Sequence, residues 1–478
     1  MNEASYDFAV VGLGVMGSNL LLNLADNGFA VLGYDTNHQK TIALEQEAVP
    51  GTTVKGVNTI EEMVKHLKVP RKIMMLVPAG KPVDIVIENL SGFLSPGDIV
   101  LDGGNSHYTD TLRRRATLEE KGIHFMGVGI SGGEEGARTG PSIMPGGDKE
   151  AYEYLRPLFE AIAAKVNGVP CVDYLGKGGA GHFVKMVHNG IEYSIMQLIC
   201  ESYDLLKHLG GLTNDELHAV YTEWNKGDLQ SFLVQITARI FTKKDDKTDN
   251  YLVDMILDKA GAKGTGKWTS QDALDLGVPI PSIDIAVTMR NISAQHEQRV
   301  QAAALYPAGE KTMQPDKQAW INHVHDALQF GILMSYTQGL ALLQVAAKDL
   351  DMQIPMQKVV NVWKGGCIIR STLLNVFDEV FADDTALENI LLHNKIVPLV
   401  TRCVAGARKA VVAAVQNEIP VGGLMASLNY FDASTAQQLP INLLQAQRDF
   451  FGAHTYARTD EPGMFHTVWQ DGSEEVVQ

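Results

Sequence analysis

Up to about residue 175 the chain alternates short apolar runs with stretches of helical periodicity. The runs are FAVVG at Phe8, AVLGYD at Ala30, KIMMLV at Lys72, DIVLDGG at Asp98 and HFMGVGIS at His124, each closed by Gly, Pro or Asn. Unbroken apolarity over so few residues is what a parallel strand buried on both faces requires. Strand then helix, repeated, predicts a doubly wound α/β sheet over residues 1–178. After GKGGAGH at Gly176 the period becomes that of amphipathic helices, which predicts a large all-α domain over 179–438. Residues 439–478 read as a short helix followed by an irregular tail. That tail carries Arg448, Phe450, Phe451, His454, Tyr456 and Trp469 and is too aromatic for idle chain, so it is expected to pack on something, with a partner subunit as candidate.

The helical part also carries a worn repeat. HNGIEYSIMQLI at His188 resembles HDALQFGILMSY at His325, 137 residues on, and WNKGDLQSFL at Trp224 resembles WKGGCIIRSTLL at Trp363, 139 residues on. Nearly equal offsets fit a duplication with small insertions. In the second copy Lys185, Asn189 and Glu192 are replaced by Asn322, Asp326 and Gln329, so only the first copy keeps a base and an acid.

A chain of 478 residues with 45% hydrophobic and 20% charged residues is an ordinary globular composition with room for more than one core. The net charge of −16 disfavours nucleic acid and anionic lipid as partners. It also demands that any anionic substrate meet a local basic pocket. The first residues lack a signal-peptide pattern, apolar runs such as AVVAAV near Val411 fall short of a membrane span, and the four cysteines are scattered. The expected place of work is the cytoplasm.

Directly after the first apolar run comes Gly12-Leu13-Gly14-Val15-Met16-Gly17, and a helix opens at Ser18. A G-x-G-x-x-G string gains specificity between a strand and a helix with an acidic residue, here Asp35, ending the next strand. The glycines let a pyrophosphate reach the backbone, and the helix N-terminus offers unpaired N–H groups. This is the Rossmann dinucleotide fingerprint. A carboxylate at Asp35 suits the adenosine ribose and repels a 2′-phosphate, and Thr36-Asn37-His38-Gln39-Lys40 contains no arginine. NAD is therefore favoured, with His38 and Lys40 as the groups that would serve NADP.

Lys185, His188, Asn189 and Glu192 fall at i, i+3, i+4 and i+7, one stripe of one helix, among Phe183, Val184, Met186, Val187 and Ile191. Burying an ammonium and a carboxylate is costly unless they are paired or used. A structural ion pair would satisfy the spacing. A catalytic pair fits better at a glycine-rich junction of two domains, where pockets concentrate. Asn105 in DGGNSHYTD and the glycine-rich loop SGGEEGARTGPSIMPGG stand at strand ends; plain turns would account for both, but Ser131, Gly132 and Gly133 together offer N–H groups and a hydroxyl to a carboxylate. The string GAKGTGK at Gly261 mimics a triphosphatase loop, but Trp268 stands where Ser or Thr would hold magnesium. No metal site is expected.

Together GLGVMGSN, DGGNS, SGGEEGARTGPSIMPGG, KMVHNGIEY, KGTGKWT and QAQRDFFGAHTY resemble the decarboxylating 6-phosphogluconate dehydrogenases, in order from Gly12 to Tyr456. The resemblance implies oxidation of 6-phosphogluconate to ribulose 5-phosphate and CO2 by a homodimer whose tail enters the partner's active site. It casts Lys185 as general base and Glu192 as acid, with His188, Asn189, Ser131, Gly132, Gly133 and Asn105 on the carboxylate and hydroxyls. It puts Tyr193, Lys263, Thr265, Arg290, Arg448 and His454 on the phosphate. Gly12, Gly14, Val15, Met16, Gly17, Asp35, Thr36, Val77 and Asn105 would hold the cofactor. Hydroxyisobutyrate-type relatives share the glycine loop and the lysine but lack KGTGKWT and the tail. Three departures from the NADP-using pattern, Gly14 for alanine, Asp35-Thr36 for Asn-Arg and Pro78 for lysine, again favour NAD.

Overall fold

A computed structural model of the chain describes residues 5–470 and 472–477. The chain divides into two compact units, Met1–Leu428 and Asn429–Gln478.

The first unit opens with a seven-stranded sheet in the order β3-β2-β1-β4-β5-β6-β7. Its strands are β1 (Phe8–Val11), β2 (Val31–Tyr34), β3 (Val54–Val57), β4 (Lys72–Met75), β5 (Ile99–Asp102), β6 (His124–Ser131) and β7 (Ser142–Gly146). β1 to β6 run parallel and β7 closes the edge antiparallel to β6. Phe8, Val10, Val31, Met74, Ile99 and Leu101 feed one core layer, and Ala9, Val11, Leu32, Ile73, Met75 and Val100 the other. Both sheet faces are thus covered, as the apolar runs require.

Two strands of this sheet lie outside the apolar runs read from the sequence. β3, VKGV, is short and only half-buried. β7, SIMPG, lies in a segment expected to be glycine-rich loop, which instead forms a helix (Gly133–Thr139) and this strand. Proline and glycine weaken a strand signal, yet all five residues of β7 are buried.

Apart from a short hairpin of Lys165–Val166 and Val169–Pro170, the rest of the unit is mainly helical, led by Ala180–His208, 29 residues, and Lys317–Asp349, 33 residues. By length and composition alone the second could cross a membrane, contrary to the reading of the apolar runs, but 78% of its apolar window is buried inside the fold. The two helices lie against each other at small residues. A Cβ on Gly331 would come within 2.6 Å of Leu198, and the Ser194 and Ser335 hydroxyls bond at 2.7 Å.

In the second unit the tail is not irregular. Its helix, Ile441–Gly452, is followed by an antiparallel hairpin of Met464–Val468 and Ser473–Val477.

Candidate active site

The Ala180–His208 helix lies directly on β6. Strand residues two apart share a face and helix residues three apart share a stripe, so alternate residues of β6 meet successive turns of the helix. A Cβ on Gly127 would come within 2.7 Å of the His182 ring, and one on Gly129 within 2.4 Å of Lys185 Cβ. The third pair is Ser131, whose hydroxyl lies 3.4 Å from His188 Nε2. His182 ties the helix to the neighbouring strand: its Nε2 lies 3.0 Å from the Asp102 carbonyl, and its Nδ1 lies 2.6 Å from the Thr111 hydroxyl.

Asp102 ends β5 and organises the DGGNS loop. Its buried carboxylate accepts from the Ser106 hydroxyl at 2.6 Å, the Gly104 N–H at 3.0 Å and Arg114 Nη1 at 3.2 Å. This fixes the loop from which Asn105 reaches the cavity.

That cavity, about 420 Å³, gathers Asn105, Ser131, Gly132, Gly133, Lys185, Asn189, Glu192, Tyr193, Lys263, Thr265 and Arg290. Met16 of the glycine loop lines it as well. Ile130, next to Ser131, and Gly261, at the head of GAKGTGK, also line it, as does Ile368, whose sequence context did not point there. His188 is buried behind Ser131, with Nδ1 3.1 Å from Asn189 Oδ1 and its ring edge-on to Trp363 at 5.8 Å. Arg448 and His454 belong to the second unit.

The Thr265–Asp275 helix brings in the KGTGKWT string. Thr269 donates to the Met186 carbonyl at 3.0 Å, and Gly190 leaves room for its side chain. The Arg290 guanidinium stacks over the Tyr193 ring at 3.6 Å, a contact that holds a cation while leaving its donors free. Arg290 and Lys263 form the local basic pocket that an anion needs in an acidic protein.

Burial lowers the Lys185 pKa from its ordinary value, against the opposing pull of Glu192. Burial raises that of Glu192, against Lys185 and Arg290. His188 is held well below its ordinary range by burial and then by the Lys185 charge. Burial thus shifts the lysine down and the carboxyl group up from their ordinary values, a base and an acid side by side.

At the dinucleotide end, Gly12 has φ +101° and a Cβ there would meet the Leu76 carbonyl at 2.5 Å. A Cβ on Gly17 would meet the Gly12 carbonyl at 1.9 Å, whereas Gly14 faces open space. Gly14 caps the Val15–Asp26 helix with no side-chain hydrogen bond, which leaves the first-turn N–H groups for a ligand. This cradle fits a pyrophosphate. Val77 and Asn105 follow β4 and β5 on the same sheet edge, and Thr36 is exposed after β2. The Asp35 carboxylate turns inward and accepts from the Leu13 N–H at 2.8 Å, the Asn37 N–H at 2.9 Å and Lys40 Nζ at 3.2 Å. Burial works against its charge, but these donors bring its pKa below the ordinary value.

The family model described as the NAD binding domain of 6-phosphogluconate dehydrogenase matches residues 7–176. The one described as the 6-phosphogluconate dehydrogenase C-terminal domain matches 181–469. The chain belongs to the 6-phosphogluconate dehydrogenase family. It is 50% identical over 461 residues to the NADP(+)-dependent, decarboxylating 6-phosphogluconate dehydrogenase of Bacillus subtilis, covering 96% of this chain and 98% of that one. It is 46% identical to the decarboxylating enzyme of Escherichia coli, covering 97% and 98%. The solved Plasmodium falciparum 6-phosphogluconate dehydrogenase, studied as apo form and with NADP+ or 6-phosphogluconate, superposes with a TM-score of 0.94 at 42% identity, covering 97% of this chain and all of that one. With whole-chain matches at these identities, the chain is an NAD(P)-dependent oxidoreductase of the decarboxylating type.

Proposed function

We propose that Lys185 and Glu192 carry the oxidative decarboxylation of 6-phosphogluconate as its base and its acid. Uncharged Lys185 takes the proton of the C3 hydroxyl as hydride leaves C3. The nicotinamide, when bound, supplies the hydride acceptor. The Lys185 ammonium then hydrogen-bonds the new C3 carbonyl, which draws in the electron pair of the C1–C2 bond as CO2 departs. Protonated Glu192 delivers its proton to C1 of the resulting enediolate as the carbonyl beside it reforms, giving ribulose 5-phosphate. The observation that carries this reading is the convergence of the two groups on one cavity, with pKa values displaced toward each other.

Asn105, Ser131, Gly132, Gly133 and Asn189 hold the carboxylate and hydroxyls, and His188 orients Ser131 from behind. Tyr193, Lys263, Thr265 and Arg290 hold the phosphate. Arg448 and His454 complete that grip from the tail of a second copy in a homodimer. The exposure of Phe450 (64%) and Phe451 (73%) supports a tail that is covered by another chain.

Gly12, Gly14, Val15, Met16, Gly17, Asp35, Thr36, Val77 and Asn105 hold the dinucleotide, and NAD is preferred. The support is a carboxylate at Asp35 without a neighbouring arginine. Lys40, which would otherwise meet a 2′-phosphate, is engaged by that carboxylate. The B. subtilis relative is named for NADP+, so the NAD preference proposed for this chain rests on Asp35 alone. We also read the second helical half as a decayed duplicate, supported by contacts that the 137-residue offset exchanges: Leu198 on Gly331 becomes Ser335 on Ser194. The cytoplasm is the proposed location.

The test is reduction of NAD and of NADP with 6-phosphogluconate, coupled to CO2 release. Both products should form in equal amounts, with the higher kcat/KM for NAD. Reduction without CO2 would remove the decarboxylation from this site, and a higher kcat/KM for NADP would overturn the cofactor preference.

A further inference from the structure

Arg448 and His454 are exposed, but the residue beside Arg448, Asp449, is fully buried. Its Oδ1 accepts from the Thr455 N–H at 2.9 Å and lies 2.9 Å from His466 Nδ1. Its Oδ2 accepts from the Thr467 N–H and Trp469 Nε1, both at 3.0 Å. One carboxylate therefore pins the end of the Ile441–Gly452 helix to the hairpin and to the turn between them.

That turn carries His454. Ala453 and Thr455, on either side of it, have φ of 49° and 55°, a backbone form that non-glycine residues keep only when their surroundings enforce it. The bond from Thr455 N–H to Asp449 enforces it here. Gln445, one helical turn before Arg448, acts from the other side. Its Oε1 accepts from Arg448 Nη1 at 3.2 Å, while its amide donates to the carbonyls of His454 and Thr455. The His454 ring lies over Gly452, where a Cβ would come within 2.7 Å of Nε2.

We propose that Asp449 and Gln445 are positioning residues that set Arg448 and His454 as one preformed anion-holding pair. This rests on the reading that the tail grips the substrate phosphate. Among the described residues no carboxylate forms an ion pair with Arg448 or His454, so the His454 ring and the guanidinium N–H groups not given to Gln445 stay available to a phosphate. Burial alone would raise the Asp449 pKa, but the Thr467 N–H, His466 and Trp469 bring it to about 2. The hub therefore stays charged at any working pH.

The experiment compares full-length Asp449→Asn and Gln445→Ala with Arg448→Ala, His454→Ala and the double variant Asp449→Asn/Arg448→Ala. The readouts are KM for 6-phosphogluconate, kcat and KM for the dinucleotide. Asp449→Asn should raise the 6-phosphogluconate KM ~10-fold or more, with kcat and the dinucleotide KM nearly unchanged, because lost preorganisation is a binding cost. In the Arg448→Ala background the same change should add far less, since contacts acting through one another are not additive. Gln445→Ala, at a half-buried position, should give the same split and carries the test if Asp449→Asn fails to fold. A 6-phosphogluconate KM raised by Arg448→Ala and His454→Ala but unmoved by Asp449→Asn or Gln445→Ala would overturn this inference alone. Equal losses in both backgrounds would do so too. If neither Arg448→Ala nor His454→Ala moves that KM, the phosphate role of the tail falls and this inference falls with it.

Discussion

Gly129 lies against the stem of Lys185, so close that a methyl group on it would sit 2.4 Å from Lys185 Cβ and 2.9 Å from Cγ. The neighbour is buried and belongs to a helix lodged on the sheet, so relief must come from moving the lysine or the helix. Gly129→Ala should therefore displace the base. Misplacement by about 1 Å can cost ~100-fold in rate, and kcat is expected to fall by that order while dinucleotide affinity stays. A variant with unchanged kcat would mean that the helix yields freely at this point.

His182 joins the same helix to β5. Replacing it with leucine leaves the Asp102 carbonyl and the Thr111 hydroxyl without that shared partner in a buried site. Losing such contacts costs about 2–3 kcal/mol, which a urea titration of the His182→Leu variant should show. Unaltered stability would demote His182 to a space-filling role.

Much of this site was legible because helical spacing is a strict geometric code. Lys185, Asn189 and Glu192 share a stripe at any crossing angle, so their common face followed from numbering alone, while a structural ion pair would have satisfied the same spacing. His188 shares the stripe but ends behind Ser131, since which side of a stripe faces the cavity depends on packing against β6. Thr265 and Arg290 are far away in sequence and came only through family resemblance, whereas the lysine-bearing GAKGTGK string was visible as a phosphate binder in its own right. Nothing local marks Ile368 as a cavity residue. The tail hairpin escaped notice for a different reason. Its first strand is anchored by one aspartate accepting from residues up to 20 positions away, and sequence periodicity carries no trace of such a hub.

Cofactor choice should respond to Asp35 and Thr36. Asp35→Asn removes the repulsive carboxylate and frees Lys40, and Thr36→Arg adds a guanidinium for the 2′-phosphate. A hydrogen bond to a charged group is worth about 1.5–3 kcal/mol, so the double variant should shift the NADP/NAD ratio of kcat/KM upward by ~100-fold. An unmoved ratio would place the specificity elsewhere.

Glu201 should give stability a pH slope. It accepts from the Gly423 N–H at 2.7 Å and the Leu424 N–H at 2.9 Å, and from Gln197 Nε2 at 3.0 Å. Burial nevertheless raises its pKa from 4.5 to about 7, with Asp204 adding to the rise. The folded state thus binds this proton more tightly than the unfolded chain. Between pH 4.5 and about 7 stability should fall as pH rises, and above that the contribution levels off. Glu201→Gln cannot titrate, so the difference in Tm between the two proteins should change across pH 5–7. A constant difference would show that Glu201 does not titrate in this window.

The base assignment for Lys185 is the centre of the mechanism, and single-turnover kinetics address it directly. Enzyme in excess over 6-phosphogluconate, mixed with saturating NAD, should give a burst of NADH with the natural chain. With Lys185→Ala the burst should vanish, while the Kd values for 6-phosphogluconate and NAD remain close to those of the natural chain. A burst of normal rate and amplitude in the variant would contradict the account, because the C3 proton would then leave without Lys185.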